Sequence, residues 1–513
     1  MRASNRIIVN TLAQYVRTII NMVLSLYSSR LVLNILGVDD FGVYSLVAGV
    51  ISMLSFFTNS LVGSTQRFLS VSQGKGDMHK LKEVFNNSLI LHLGLGVCVA
   101  LILWGITPLL FDGFLNIPEG RVDTAQVLCR LVIIMVFISF IASPYRALLI
   151  SHENIVYISI IDVLDGILKV LLVTLLPSIS YDKLLTYGVM MLGIQLFNLF
   201  AFMIYSHVKY EECCIPRLKI FSLAYVKNLL SFTGWILYSS VCITARTQGL
   251  SIVLNRIYGA VINAAYGIGA QISGMIAFVS TSFDNAVAPQ LMAAEGGGNR
   301  QNMLALATIQ SKISFLLLSM IGIPVMFQMQ FILKVWLGNV PEHTMLFGCM
   351  FLSMQIIDML SLGLANAKKA IGSIGSYTLV TSTPKLLALP LSWAVLKLDM
   401  PLIYVALIMV FIEAICMLLR IYLFRKESWF KAGEYINGVI IRNIPPVIVS
   451  AIVCFLCNMH IDSSVGCFFI SFALSIPSFL VIAYFISLKK QEKVFVKKIV
   501  NKVLRRKYDE AKV

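Results

Sequence analysis

Four cationic side chains lie deep inside long apolar stretches of the sequence and are the residues most able to do chemistry there: Arg17, Lys169, Arg246 and Lys385. A charge at the centre of a membrane helix costs about 2.5–3.5 kcal/mol on insertion scales, so we expect each to have a function or a counter-ion. A guanidinium group matches the oxygens of a phosphate bidentately. Gln14 lies beside Arg17, and Gln248 lies beside Arg246. These six residues are therefore predicted to bind an anionic substrate, above all a phosphate.

Acidic residues in the same stretches leave a second interpretation open. Asp358 and Glu413 could bind a coupling proton or sodium ion, or could pair with an arginine from another helix. Asp165 precedes Lys169 by four residues, which is the favourable order for a structural ion pair within one helix. Three further cations lie near the ends of predicted helices, where their side chains can reach water: Arg30, Arg130 and Arg420.

Patterns typical of enzymes, metal sites and cofactor sites are weak. Cys454 and Cys457 have C-x-x-C spacing, but their apolar neighbours indicate packed small residues. The six histidines show no ligand spacing, and no nucleotide-hydrolysing motif is present. The glycines at 267, 269 and 274 follow no predicted strand and so indicate close helix packing. We predict a protein that is not an enzyme, with no catalytic residue, metal or cofactor.

Composition identifies the elements that position these residues as membrane helices. The 513 residues are 58% hydrophobic and 13% charged, with a mean hydropathy of +0.85. That charged share is about half the share in an ordinary soluble protein. Apolar runs of about twenty residues, the length that crosses a bilayer, recur along the chain. We predict an all-α polytopic membrane protein with about fourteen transmembrane helices, near 7–35, 41–70, 85–110, 125–150, 155–177, 184–207, 229–257, 260–290, 304–331, 344–367, 373–396, 401–424, 437–459 and 464–487.

Charge in the loops predicts the orientation. The chain carries 41 Lys and Arg residues against 25 Asp and Glu residues, a net charge of +16. The cations concentrate in alternate loops and in the C-terminal tail, which predicts that both termini are cytoplasmic. The start of the sequence lacks the features of a cleavable signal, so the first helix is expected to stay in the bilayer. From Lys493 to Arg506, apolar residues at helical spacing alternate with cations. This pattern suits a helix on the inner leaflet, and a disordered tail is the alternative.

An internal repeat predicts two halves. At a constant offset of 222 residues, matches occur at Gly37 with Gly259, Tyr44 with Tyr266, Ser60 with Ser282, Gly74 with Gly296 and Gly76 with Gly298. Six helices per half is an even number, so the two bundles are predicted to have parallel orientation about a pseudo-two-fold along the membrane normal. The predicted parts are an N-terminal six-helix bundle at 1–207, a cytoplasmic linker at 208–228, a C-terminal six-helix bundle at 229–425, two further helices at 426–487 and a basic tail at 488–513.

Three motifs carry a family resemblance. The segment LGVDDFGVY at 36–44 resembles the LG-x-x-x-FG-x-Y signature of polysaccharide-exporting flippases. QRFLS at 66–70 followed by GKGD at 74–77, and YRALLISHE at 145–153, are also typical of them. The chain is similar over nearly its whole length to Wzx-type O-antigen and capsule flippases of the multidrug/oligosaccharidyl-lipid/polysaccharide (MOP) exporter superfamily.

The resemblance implies a MATE-like fold, with two six-helix bundles around a cationic central cavity and often two extra C-terminal helices. The implied activity is translocation of an undecaprenyl-pyrophosphate-linked O-antigen or capsular repeat unit across the bacterial inner membrane by alternating access. The implied partners are the lipid-linked glycan, membrane lipids, and the polysaccharide polymerase and glycosyltransferases of the same pathway, but not nucleic acid. In the family, intramembrane Arg and Lys residues engage pyrophosphate and acidic sugars, a role open to Arg17, Arg246, Lys169 and Lys385.

Other functions remain as alternatives. An ion-coupled drug antiporter of the same fold would be expected to prefer acidic cavity residues, whereas the candidates here are basic. A lipid II flippase shares the fourteen-helix layout, and complementation of peptidoglycan synthesis would separate it. A glycan polymerase or ligase normally carries a large outer loop, and no predicted outer loop here exceeds about twenty residues.

Overall fold

The structure, a computed structural model, describes residues 3–109, 111, 119–214, 216–427, 429–461, 463–489 and 492–493. Within these ranges the chain is helical and contains no strand. The first helices are α1 Ala3–Lys75, α2 Met78–Leu109, α3 Val122–Ser151, α4 Ile155–Leu175, α5 Lys183–Lys209, α6 Leu223–Tyr258, α7 Ala260–Gly296 and α8 Arg300–Phe327. They are followed by α9 Met329–Leu337, α10 Thr344–Ile371, α11 Gly375–Ser382, α12 Pro384–Lys397, α13 Ile403–Phe424, α14 Ala432–Tyr435, α15 Ile444–His460 and α16 Ser464–Ile482.

Short 3-10 turns and two π-helical turns connect or extend these helices. The 3-10 turns are Glu119–Arg121, Leu176–Ser178, Leu218–Ile220 and Ile441–Asn443. The π-helical turns are Ile436–Ile440, which follows α14, and Ala483–Ser487, which follows α16. Within the described residues, each of the fourteen predicted ranges is mainly helical, so the predicted all-α fold is confirmed.

The chain is a multi-pass membrane protein. In the part of the chain that the structure describes, twelve helices are long and apolar enough to cross a membrane, so the predicted count of fourteen is approximate. Helix α4 is not one of the twelve, because it carries the charged residues Asp162, Asp165 and Lys169. Large apolar side chains are exposed on the helix surfaces, including Phe411 and Phe469 at 65% each. Such surfaces are stable in lipid rather than in water.

A glycine with a left-handed backbone interrupts α1 and separates the two helices predicted there. Gly37 has φ 81° and ψ 174° inside the range Ala3–Lys75. Its counterpart in the repeat, Gly259, also has φ 81° and separates α6 from α7. A side chain would strain the backbone at either position, so both bends require glycine. The same backbone conformation thus recurs at the matched position of the other half.

Two predicted helix starts were wrong, and capping residues explain the difference. Helix α2 begins at Met78 rather than near 85, and α6 begins at Leu223 rather than near 229. The Asp77 carboxylate accepts a hydrogen bond from the Lys80 amide at 2.9 Å. The Ser222 hydroxyl oxygen accepts one from the Tyr225 amide at 3.3 Å. Both side chains satisfy free amides of a first turn, and both precede the apolar pattern from which the starts were predicted.

The chain forms two compact units. The first unit contains residues 1–242, 282–306 and 366–379, and the second contains residues 243–281, 307–365 and 380–513. The predicted division at 1–207, 208–228, 229–425, 426–487 and 488–513 stays a prediction.

Each unit has its own apolar core. In the first unit, α3 packs against α1, α2 and α5, and α1 packs against α4. Its fully buried side chains include Phe85 and Leu128. In the second unit, α12 packs against α13 and α15 packs against α16. Phe347 and Met409 are fully buried in its core.

Polar contacts attach the last helices to the rest of the second unit. The Gln328 side-chain amide donates to Asn458 Oδ1 at 2.7 Å on α15 and to Ser471 Oγ at 3.1 Å on α16. The Tyr435 hydroxyl at α14 donates to the Leu360 carbonyl of α10 at 2.8 Å. The predicted tail helix lies almost entirely outside the described residues, because 494–513 are not described.

Candidate functional site

A polar stripe runs along the first half of α1. Asn10, Gln14, Arg17 and Asn21 follow one another at steps of three or four residues, so they share one face of the helix. The Asn10 amide donates to the Glu153 carbonyl at 2.8 Å, and the buried Gln14 amide donates to the Ser282 carbonyl at 3.2 Å. This stripe therefore faces other parts of the first unit and positions Arg17 among them.

Arg17 shares a carboxylate with a second arginine. Arg17 Nη1 lies 2.8 Å from Asp162 Oδ2 on α4. Arg146, on α3, donates to both Asp162 oxygens, at 3.2 Å and 3.0 Å. The exposed side-chain fractions are 21% for Arg17, 22% for Asp162 and 36% for Arg146. The three residues, named here the Asp162 cluster, carry one surplus positive charge in a partly accessible position.

A second cluster has the same charge count but is buried. Arg246 Nη1, on α6, lies 2.6 Å from Glu413 Oε2, and Lys385 Nζ, on α12, lies 2.8 Å from Glu413 Oε1. All three side chains are exposed by 6% or less. Arg246 Nε is buried and has no hydrogen-bond partner within the described part of the chain. This set, named the Glu413 cluster, also has one surplus positive charge.

The other predicted site residues are placed as follows. Lys169 Nζ lies 2.7 Å from Asp165 on α4, so the predicted intrahelical ion pair is present. Asp358 accepts a hydrogen bond from Arg420 Nη1 at 2.7 Å and also interacts with Lys385 and Glu413 of the Glu413 cluster. Gln248 is exposed on α6. The structure thus brings Arg246, Lys385 and Glu413 together, and it places Arg17 in a different unit from them.

Three charged residues inside predicted helices were missed by the sequence analysis. Arg146 belongs to the Asp162 cluster. Arg67 donates to the Lys369 and Ala370 carbonyls at 3.0 Å each, and Lys312 is 2% exposed on α8. Each lies within a predicted helix range, so counting every cation between the predicted helix ends would have found them.

Two cavities of about 400 Å³ each lie within the first unit. One contains Lys169, and its polar lining is Asn21, Ser25, Ser28, Ser29, Tyr44, Asp165 and Tyr187. The other contains Arg67, and its further polar lining includes Asn59, Ser60, Gln66, Asp284, Asn285, Asn366 and Lys369. Phe56 and Phe232 add aromatic rings to the second cavity. Amide, hydroxyl and charged groups beside aromatic rings can bind hydroxyl-rich molecules.

Repeat-related glycines form a reciprocal close contact in the first unit. A Cβ atom on Gly74 would overlap the Ala293 carbonyl, and one on Gly296 would overlap the Val71 carbonyl. Gly74 and Gly296 are matched by the 222-residue repeat, and Val71 and Ala293 have the same offset. The contact therefore obeys the repeat symmetry, and any residue larger than glycine would separate the two backbones.

A buried carboxylate holds the linker against the end of α3. Glu212 is 2% exposed and pairs with His152 Nε2. Burial alone would raise the pKa of Glu212, but the hydrogen bond and charge of His152 outweigh it and the pKa lies below its usual value. The ionised form of Glu212 is thus favoured where the chain leaves the membrane helices.

Comparison with known proteins adds the family. The family model described as polysaccharide biosynthesis protein matches residues 4–293, more than half of the chain. The chain belongs to this family. It is also 20% identical over 313 residues to the uncharacterized membrane protein EpsK of Bacillus subtilis, and the match spans 61% of each of the two chains.

Solved structures similar to this family member are MATE and MOP superfamily transporters. A crystal structure of MATE in the bent conformation has a TM-score of 0.73 at 14% identity, covering 83% of this chain and 95% of that one. A MOP superfamily transporter from Pyrococcus furiosus has a TM-score of 0.70 at 14% identity, covering 84% and 96%. A binding pocket of reverse polarity is described for that transporter. These likenesses confirm the predicted MATE-like fold.

Proposed function

We propose that this protein is a flippase that translocates a polyprenyl-pyrophosphate-linked oligosaccharide by alternating access. The observation that carries the proposal is the Asp162 cluster, in which two arginines share one partly exposed carboxylate. A pyrophosphate can replace Asp162 as the partner of both guanidinium groups, because each phosphate accepts bidentate hydrogen bonds. Membership of the polysaccharide biosynthesis family supports a glycan as the cargo.

The proposed cargo is an undecaprenyl-pyrophosphate-linked O-antigen or capsular repeat unit, moved across the bacterial inner membrane. The phosphates would bind Arg17 and Arg146, with Gln14 fixing the α1 face and Lys169, which is paired with Asp165, offering its remaining ammonium protons as donors. The two polar cavities of the first unit could hold sugar hydroxyl groups. The lipid chain would remain in the bilayer, and no covalent bond would be made or broken. Both termini would be cytoplasmic, as the loop charges predict.

The reciprocal contact of Gly74 and Gly296 would close the pathway on the cytoplasmic side. Both glycines precede loops predicted to be cytoplasmic, and their contact is limited to two short backbone segments. Opening it would admit the headgroup from the inner leaflet. An ion gradient or removal of the product outside would supply the driving force. The ion-coupling roles of Asp358 and Glu413, the substrate roles of Arg246, Lys385 and Gln248, and the polymerase and glycosyltransferase partners stay predictions.

The test is surface polysaccharide in cells that lack their own flippase. Arg17→Ala and Arg146→Ala should each lower it at least tenfold at unchanged protein level, because one transition-state interaction of about 1.4 kcal/mol or more is lost. Arg30→Ala is the matched control, since Arg30 is an exposed arginine on the same helix. Flipping of labelled lipid-linked glycan in proteoliposomes should change in parallel. Normal polysaccharide with both variants would refute the role of the Asp162 cluster.

A MATE-type drug antiporter is the second candidate, and the fold likeness favours it. The surplus positive charge of the Asp162 cluster disfavours a cationic drug and resembles the reverse polarity described for the Pyrococcus furiosus transporter. Drug susceptibility of cells with and without the protein separates the two functions. A flippase should leave susceptibility to cationic drugs unchanged while it restores surface polysaccharide.

A further inference from the structure

A cavity of about 580 Å³ lies in the second unit where the helix pair α15 and α16 ends. Two π-helical turns border it, Ile436–Ile440 and Ala483–Ser487. The turn after α16 is tied to the segment before α15, because Ser487 Oγ donates to the Arg442 carbonyl at 2.9 Å. π-Helical turns are rare and often occur at functional sites. This cavity, named the Arg442 cavity, is outside the unit that contains the Asp162 cluster.

The lining of the Arg442 cavity is cationic. Arg442, Lys489 and Lys493 line it, together with Asn437 and Glu434. Within the described residues, the side chains of Arg442 and Lys489 take part in no ion pair. Lys493 Nζ contacts the Phe485 carbonyl at 3.1 Å, which leaves its charge without a carboxylate there.

The two carboxylates of this region already have cationic partners. Glu434 lies 3.0 Å from Lys431 Nζ. Glu492 lies 2.5 Å from the buried Lys312 Nζ and accepts the Lys489 backbone amide at 2.7 Å. Among the described residues, the three lining cations therefore have no carboxylate partner, and they can bind an anion from outside the chain.

One wall of the cavity is apolar and exposed. Phe485 and Ile486 line it and are exposed by 68% and 42%. Large apolar side chains this exposed at the end of a membrane helix contact lipid. A free phosphate would use only the cations, whereas a phospholipid uses the cations for its headgroup and the apolar wall for its chains.

We propose that the Arg442 cavity binds the headgroup phosphate of an anionic phospholipid. Arg442 would contact the phosphate oxygens bidentately, and Lys489 and Lys493 would approach as point charges. The predicted orientation places this end of the helix pair at the cytoplasmic leaflet, where anionic lipids carry the negative surface potential. The bound lipid would hold the start of α15 and the end of α16 at the level of the lipid headgroups. This site is independent of the proposed transport of a glycan.

The test measures retention of phosphatidylglycerol by the purified full-length protein in neutral detergent, using native mass spectrometry. The triple variant Arg442→Gln, Lys489→Gln, Lys493→Gln should bind it about 100-fold more weakly, because each cation near a membrane surface contributes about a fivefold affinity. Gly438→Leu is a second variant that keeps every charge. Only Lys489 Cε, at 4.0 Å, lies near a Cβ added at Gly438, so the leucine side chain would occupy the cavity. This variant should therefore also lose the lipid.

The matched control removes three exposed cations that do not line the cavity, in Lys227→Gln, Arg425→Gln, Lys426→Gln. The control should retain phosphatidylglycerol like the parent protein. Equal loss in the cavity variant and the control would overturn the proposal in favour of non-specific charge attraction. Displacement of the lipid by millimolar inorganic phosphate would overturn the lipid as the ligand. Phosphatidylcholine bound as tightly as phosphatidylglycerol would also overturn it.

Discussion

The Asp162 cluster and the Glu413 cluster have the same charges and differ in their access to water. In each, one carboxylate holds two cations. The side chains are 21–36% exposed around Asp162 and 3–6% exposed around Glu413. Partly exposed ion pairs contribute little stability and exchange partners readily. Buried ones cannot release a partner without leaving an unpaired charge in the interior.

The sequence analysis predicted that cations of both clusters bind substrate. The difference in access to water separates the two clusters in that role. A substrate phosphate can displace Asp162 because water already reaches both arginines. It could reach Arg246 or Lys385 only after the surrounding helices had moved, because both side chains are buried. In this conformation the surplus charge of the Glu413 cluster acts on its surroundings as a fixed positive charge.

Removal of the central carboxylates should give the largest difference between the clusters. Glu413→Gln removes the carboxylate that the buried Arg246 and Lys385 share and leaves only the Coulombic attraction of Asp358 at Lys385. It should lower the free energy of unfolding by about 3–5 kcal/mol. Asp162→Asn should lower it by about 1 kcal/mol or less. Thermal unfolding in detergent and the folded yield in membranes measure both. Equal losses in the two variants would contradict the contrast in burial.

Close glycine contacts extend the comparison to the backbone. A Cβ on Gly363, in the second unit, would overlap the Ala307 carbonyl, as one on Gly74 would overlap Ala293 in the first unit. The Gly363 amide also donates to Ser311 Oγ at 2.8 Å, and the Tyr435 hydroxyl oxygen lies 2.8 Å from the same Ser311 oxygen. The Gly363 contact is thus fixed by neighbouring hydrogen bonds.

We expect Gly363→Ala to lower the free energy of unfolding by about 1–3 kcal/mol, as overpacking does. Gly74→Ala should leave thermal unfolding nearly unchanged, because its contact opens in the proposed cycle. Gly74→Ala should instead increase the rate at which a reagent on the cytoplasmic side labels cysteines of the protein, and it should lower transport. Gly94→Ala is the control, since nothing stands near an added Cβ there. A loss of stability with Gly74→Ala as large as with Gly363→Ala would identify a static contact.

The helices and their kink could be predicted from the sequence, because apolar runs and Gly37 act locally. The partners of the buried charges could not be predicted. Arg246 and Glu413 are 167 residues apart, and no spacing rule relates residues on different helices. Two local signals were present but missed. Arg146 lies inside a predicted helix, and the α1 polar residues, from Asn10 to Asn21, repeat at steps of three or four.

The smallest expected effect concerns ligand affinity at the Asp162 cluster. Asp162 competes with a substrate phosphate for Arg17 and Arg146, so Asp162→Asn raises the local charge from one surplus positive charge to two. Inorganic pyrophosphate, titrated by calorimetry, should bind about fivefold more tightly, since one charge at about 4 Å in water is worth about 1 kcal/mol. Added salt should reduce the gain, because the cluster is partly exposed.

Glu413→Gln should give no such gain, because pyrophosphate has no access to the buried cations. Transport by Asp162→Asn should also fall rather than rise, since tighter binding of the headgroup slows its release on the other side. Tighter pyrophosphate binding in the Glu413 variant would mean that the buried cluster opens to water during the cycle. In that case both clusters would contact substrate, and their difference in burial would belong to one conformation only.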